Sequence, residues 1–331
     1  MSNIDLAIKF GSNEIIIYRK GFGIIAKEPA YLAVVENGKN IKVKATGKEA
    51  ERLFLSKNSN VTVYQPIEKS EIINEKMATI LLSQIIDRVI TDKMFLSHVN
   101  ALVAVPCALN EKQLLLLKKV LQQSGISKIK FVQNSVCARA NLEIEPHSHV
   151  MIVDIGKYLT DISVLNDYNF LFGRMYFIGG EKMDSSITTF IADNHELEVS
   201  DMTSEAVKNE VASLYERDMY KTEYIGIDHN NKFTRKGITA NEVRVAITNV
   251  YDKIFDLIKD VMNTIPKEIA AEVYNNGIMF VGGASRIAGL YEYAKKKLEM
   301  PIIMPDDPMD AVILGAGKLL SKEGDFLKIN F

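Results

Sequence analysis

An apolar run, Met151-Ile-Val153, passes into Asp154-Ile155-Gly156, and after Lys157-Tyr158-Leu159 it resumes as Thr160-Asp161-Ile-Ser-Val-Leu165. Apolar residues in short runs on either side of a glycine turn favour strand, tight turn, strand. The tip of that hairpin carries one acid and one glycine. Glycine lets a backbone approach a phosphate closely, and an aspartate beside it can hold a hydrated Mg²⁺. An ordinary hairpin with a polar tip would carry the same residues, so for this segment alone both readings stand.

Three further motifs follow in order. Ile178-Gly179-Gly180-Glu-Lys-Met-Asp184 opens a helix pattern, and Ile278-Met-Phe-Val281 runs into Gly282-Gly283-Ala-Ser285 and another helix. Asp306-Asp307-Pro308 precedes an alanine- and glycine-rich helix, Ala311-Val-Ile-Leu-Gly315-Ala-Gly317. Near the start stands Gly21-Phe-Gly-Ile-Ile-Ala-Lys-Glu28-Pro29. Taken together, in this order and over nearly the whole chain, these motifs resemble the nucleotide site of the actin-like ATPases, most closely the MreB-like bacterial actins. The set is far more specific than any one member.

Composition agrees with that class. A chain of 331 residues exceeds a usual single core, which predicts two domains. With 47% hydrophobic and 25% charged residues it reads as globular. A net charge of −2 argues against a nucleic-acid partner. Cys107 and Cys137 offer no disulfide framework, and neither a signal peptide nor a membrane-spanning run stands out, so a cytoplasmic location is expected. His147 and His149 follow Pro146 without a third ligand at metal-site spacing, which favours a surface loop.

The pattern along the chain predicts strand, turn and strand between Ile4 and Tyr18. A helix over 74–91 follows from Met77, Leu81, Ile85 and Val89 at helical spacing. A strand at 101–105, a helix at 111–124, a strand at 128–132 and a helix at 134–142 complete the first half. The second half repeats the plan: three strands over 150–176, helices at 182–194 and 240–264, a strand at 278–281 and a helix at 286–299. Alternation of strands and helices predicts mainly parallel sheets covered on both faces. The resemblance implies an α/β, duplicated ribonuclease-H-like actin fold, with two lobes around a nucleotide cleft. The expected lobes are 1–142, with an outer insertion at about 30–64, and 143–331, with one at about 185–239.

For the site, the resemblance implies that Asp154 orients Mg²⁺ through water and that Gly156 offers its N–H to phosphate, with Thr160 close by. The two further glycines usual in the family are replaced here by Lys157 and Tyr158. At the first tip, Lys9-Phe-Gly11-Ser12-Asn13 stands where Asp-Leu-Gly-Thr-Ala is expected, so the metal-side acid has become Lys9 while Gly11 and Ser12 still fit a phosphate turn. Gly179 and Gly180, at a helix start, would favour phosphate or ribose oxygens. Glu205 and Lys208, three apart on one helix face, would reach ribose and adenine. Gly282 and Gly283 would approach the nucleotide at another helix start. Gln133 falls at the water-positioning place and is compatible with slow hydrolysis; capping the next helix is the structural alternative.

The implied function is an actin-like, filament-forming cytoskeletal protein of the bacterial cell-shape type. It would bind ATP or ADP, with Mg²⁺, and hydrolyse weakly or not at all. Its implied partners are further copies in a head-to-tail filament, cell-shape membrane proteins, and the inner face of the membrane through Met94, Phe95 and Leu96, beside Lys93. The alternatives are a nucleotide-independent adaptor and a small-molecule kinase of the same fold, which would need a cleft acid that does not stand out here. A chaperone-type ATPase would need a peptide-binding domain for which 331 residues leave no room.

Overall fold

The computed structural model describes residues 3–38, 40–56, 60–91, 98–142 and 148–321. Lys93, Met94, Phe95, Leu96 and His147 lie outside them. The chain forms two compact units, Met1–Glu143 with Asp310–Phe331, and Ile144–Met309.

In the first unit a five-stranded sheet runs Lys128–Gln133, His98–Val105, Asn3–Phe10, Glu14–Arg19, Gly23–Pro29. The first three strands are mutually parallel, and the last two join by antiparallel pairing. Alternation gives Asn3–Phe10 two unlike faces. Ile4, Leu6 and Ile8 enter a core with Leu81, Leu82 and Ile85 from helix Glu75–Val89 and Leu117, Val120 and Leu121 from helix Glu111–Gln123. A smaller sheet of Asn40–Thr46, Leu32–Asn37 and Thr62–Tyr64 carries helix Gly47–Leu55 on a small core of Ala33, Ala45 and Ala50. Glu28 ties this part to the large sheet: it pairs with Arg88 at 3.0 Å and accepts from the Lys48 N–H at 3.3 Å.

The second unit repeats the order: Asn169–Tyr176, Thr160–Asn166, His149–Ile155, Ile278–Val281, Ile302–Ile303. The first pairings are antiparallel and the last two parallel. Each large sheet is therefore half antiparallel rather than mainly parallel, because its opening strands are joined by tight hairpins that return the chain at once. Val153, Ile155, Ile162 and Phe280 pack against Ile187 and Ile191 of helix Gly180–His195 and Ile247, Tyr251, Ile254 and Phe255 of helix Ala240–Thr264. A capping box opens that long helix: Thr239 Oγ1 accepts from the Glu242 N–H, while Glu242 accepts from the Thr239 N–H at 2.8 Å.

Three boundaries differ from the linear reading. The last helix, Ala311–Ser321, belongs to the first unit, where it packs on helix Asn134–Ala140. Gly315 permits this, since a Cβ there would overlap the carbonyl of Cys137. The outer elements of the second unit, helix Asp201–Val211 and the pair Lys221–Ile227 with Phe233–Thr239, begin later than 185, because helix Gly180–His195 runs through that point. The segment expected as a helix over 286–299 starts as a 3₁₀ turn, Gly283–Arg286, and becomes α-helical only at Leu290–Leu298.

Candidate functional site

Both large sheets carry the same hairpin. In the first, Phe10 pairs with Ile15 and the Gly11 N–H donates to the Glu14 carbonyl at 3.1 Å. In the second, Ile155 pairs with Thr160 and the Gly156 N–H donates to the Leu159 carbonyl at 2.9 Å. The Gly156 N–H, expected at phosphate, thus closes its own turn, as the Gly11 N–H does in the first hairpin. By position in the two hairpins, Lys9 corresponds to Asp154.

The second tip docks on the start of helix Gly180–His195. The Gly180 N–H donates to the Gly156 carbonyl at 3.0 Å and the Glu181 N–H to the Lys157 carbonyl at 2.7 Å. Orphan donors of a helix start are therefore satisfied by the tip, so the Gly180 N–H is not open to a ligand as the sequence suggests. Gly179 is required here, for a Cβ would lie 2.5 Å from the Gly156 carbonyl oxygen and 2.9 Å from that of Lys157. Thr160 is wholly buried and its Oγ1 donates to the Ile178 carbonyl at 2.7 Å, which makes it part of the scaffold rather than a phosphate contact.

Glu205 and Lys208 do share a face of helix Asp201–Val211, but each finds a partner other than its neighbour. Lys157 Nζ lies 3.0 and 3.2 Å from the two carboxylate oxygens of Glu205. Burial disfavours the Lys157 charge, yet Glu205 outweighs it and raises the pKa above the ordinary lysine value. Lys208 Nζ lies 2.6 Å from Asp184 Oδ1 and 3.2 Å from the Gly180 carbonyl. The Asp184 contact is close but poorly directed as a hydrogen bond, since the same oxygen lacks one. Burial accordingly dominates, and despite Lys208 it pushes the Asp184 carboxyl up to about 6. Neither Lys157 nor Asp184 stands out as a site residue in sequence. The one available signal for Asp184 is its place four residues after Gly180, on the same helix face.

Asp154 is buried at the strand end beside Gly282, whose φ of +91° and lack of a Cβ let the two segments touch. The Gly282 N–H donates to the Pro308 carbonyl at 2.8 Å, and Gly283 begins the 3₁₀ turn rather than an α-helix. Asp154 and Asp161 are register partners across the hairpin, both buried, so their carboxylates rise from one face of the sheet. Paired anions of this kind suit a hydrated divalent cation. Among the described residues no cluster of three His, Cys, Asp or Glu side chains that could hold a metal ion is found.

In the first unit, Lys9 has no ion-pair partner among the described residues, and Ser12 Oγ accepts from the Ser70 N–H at 2.6 Å. Ser12 is consequently buried against a neighbouring turn instead of standing open. Gln133 occupies the cap position of helix Asn134–Ala140 but makes no side-chain cap bond, so the capping alternative lacks its hydrogen bond. His149 pairs with Glu272 at 2.6 Å. No helix among the described residues is long and apolar enough to cross a membrane.

Comparison with known proteins supplies the context for this arrangement. The model of the MreB/Mbl protein family matches residues 3–328. The cell shape-determining protein Mbl of Bacillus subtilis (strain 168) is 27% identical over 321 residues, covering 96% of this chain and 95% of that protein. The cell shape-determining protein MreB of Escherichia coli (strain K12) is 23% identical over 326 residues, covering 97% and 94%. Among solved structures, MreB5 of Spiroplasma citri bound to ADP superposes with a TM-score of 0.89 at 22% identity, covering 99% of each chain. The MamK double helical filament gives 0.81 at 20% identity, covering 97% of this chain and 99% of that one. Matching the family from one end of the described fold to the other, and sharing the actin fold, this chain belongs to the MreB/Mbl family of actin-like proteins.

Proposed function

We propose that the chain is a filament-forming cytoskeletal protein of the cell-shape type that binds ATP or ADP and hydrolyses it weakly or not at all. The observation that carries this reading is the docked second tip. Gly156, Gly179, Gly180, Glu205 and Lys208 come together within one unit, beside Asp154, Gly282 and Gly283. The MreB5 and MamK structures, with ADP bound and in a filament respectively, support the same function for a chain of this fold.

In this reading Glu205 and Lys208 receive the nucleoside, and the tip at Gly156 and Lys157 receives phosphate. Asp154, with Asp161 beside it across the hairpin, would hold Mg²⁺ through water, and the ion would neutralise phosphate charge when bound. The first tip, with its turn at Gly11 and Ser12, is assigned to phosphate as well, and there the Lys9 ammonium takes the place of an acid. It neutralises phosphate directly and repels a divalent ion, lowering the need for Mg²⁺. Gln133 orients the attacking water in whatever slow turnover occurs, since hydrolysis needs a positioned water as well as neutralised charge.

Copies associate head to tail, a heterologous contact that extends rather than closes. Met94, Phe95 and Leu96, with Lys93, touch the membrane surface on the cytoplasmic side. Three apolar residues hold a single copy weakly, so attachment depends on many copies in one filament. Sedimentation with electron microscopy tests this function. Filaments that pellet with ATP are expected, and a strictly monomeric chain at high concentration with nucleotide and lipid would refute it.

A second reading has one observation in its favour. The Gly11, Gly156 and Gly180 N–H groups and the Thr160 hydroxyl are internally satisfied, as suits a nucleotide-independent adaptor. Filaments that form equally in nucleotide-free protein, with no measurable binding of ATP, would select it.

A further inference from the structure

We infer that Lys157 sets a preference for phosphorylated over unphosphorylated nucleosides by exchanging one anion for another. The inference rests on the proposed nucleotide site and names how that site discriminates.

The backbone of Lys157 is anchored. Its carbonyl accepts from the Glu181 N–H at 2.7 Å, and a Cβ on Gly180 would lie 3.7 Å from its Cα. From that fixed point the side chain crosses the helix start to helix Asp201–Val211, where its ammonium contacts both oxygens of Glu205. Lys157 and Glu205 are 26% and 34% exposed, so the pair is half open to solvent and to a ligand. The other cation of the cluster has no such freedom: Lys208 is 14% exposed and bound to Asp184, itself 5% exposed, and to the Gly180 carbonyl. Of the two lysines, Lys157 is therefore the one able to change partner.

The consequence follows from charge. Glu205 is an acceptor suited to the vicinal hydroxyls of a sugar, but both of its oxygens face Lys157. A nucleoside lacking phosphate must displace the ammonium and gives it nothing in return. A nucleoside di- or triphosphate takes the same carboxylate but presents its own anion to the displaced lysine, whose backbone neighbours Gly156 at the tip. Charge-assisted contacts to phosphate oxygens are the stronger kind, so the exchange runs forward only for the phosphorylated ligand. In Lys157 the chain holds a tethered cation that competes with nucleosides and assists nucleotides.

The test compares adenosine and ADP binding by calorimetry, in EDTA, on the unchanged chain and on Lys157→Gln and Lys157→Ala. Both substitutions are expected to tighten adenosine roughly threefold, by releasing Glu205 from a partly exposed pair, and to weaken ADP about fivefold to tenfold. Glu205→Gln, which frees the ammonium without removing it, should weaken adenosine more than ADP. Melting temperatures of the variants establish that they fold. If the Lys157 variants shift both ligands in the same direction, or neither, the exchange is refuted while the nucleotide site stands. If the unchanged folded chain binds neither ligand, the site reading fails and the exchange fails with it.

Discussion

The two hairpin tips share a backbone and differ in almost everything attached to it. Each closes on a glycine N–H donating to the carbonyl three residues on, and each ends a central strand flanked by one antiparallel and one parallel neighbour. The first carries Lys9 opposite Ile16; the second carries Asp154 opposite Asp161. One tip thus holds a cation opposite an apolar residue, and the other a pair of buried acids. Their anchoring differs as well: the first tip is held by the Ser12 side-chain bond to Ser70 and by the Ala30 N–H donating to the Asn13 carbonyl at 3.2 Å, whereas two backbone bonds fasten the second to a helix start. Duplication preserved the turn and left the charge free to diverge, so turn geometry alone is a poor guide to what each tip binds.

The largest effect is expected from adding one carbon at the docking point. Gly179→Ala would place its Cβ 2.5 Å from a backbone oxygen that cannot rotate away. A loss of about 3 kcal/mol is expected in urea unfolding. Gly11→Ala meets only the Glu14 carbonyl, at 3.1 Å, and should cost below ~1 kcal/mol. Equal costs would show that the second tip is no more firmly docked than the first.

The side-chain anchor of the first tip is the next lever. Ser12→Ala leaves the half-buried Ser70 N–H without its partner. The expected cost is about 1–2 kcal/mol, read from the shift of the same unfolding curve. No shift would mean that water replaces the bond without loss.

Acidity separates the units more gently. Asp184 titrates near 6 in the folded second unit, against 3.8 for an unperturbed side chain. The folded chain therefore holds this proton at pH values where the unfolded chain has released it. That contribution is full below about pH 4 and is lost as the pH rises through 6. Between pH 5 and pH 7 it changes by about 1 kcal/mol, so Asp184→Asn should remove that much of the stability difference between the two pH values. An unchanged difference would place the titration outside this range.

Much of this architecture was legible because its causes are local. The apolar alternation around Gly11 and Gly156 predicts both hairpins, and the amphipathic pattern from Ala240 predicts the long helix to Thr264. What escaped depends on distant partners. Nothing near Gly315 says that it will meet Cys137, so the return of the last helix to the first unit has no local sign. Glu205 and Lys208 read as a pair by spacing, yet Lys157 and Asp184 reach them from 48 and 24 residues away. Thr160 reads as a ligand by motif but is consumed by the Ile178 carbonyl once the strands are laid side by side.

In the proposed function Lys9 stands at the first tip where Asp154 stands at the second, a cation in the place of an acid. The most direct test is ATP binding by calorimetry with Mg²⁺ and with EDTA, for the unchanged chain and for Lys9→Asp. The unchanged chain is expected to bind ATP in both conditions with dissociation constants within about threefold of each other. Lys9→Asp should weaken binding in EDTA about fivefold to tenfold and restore it with Mg²⁺. Binding by the unchanged chain that appears only with Mg²⁺, accompanied by rapid hydrolysis, would contradict this reading.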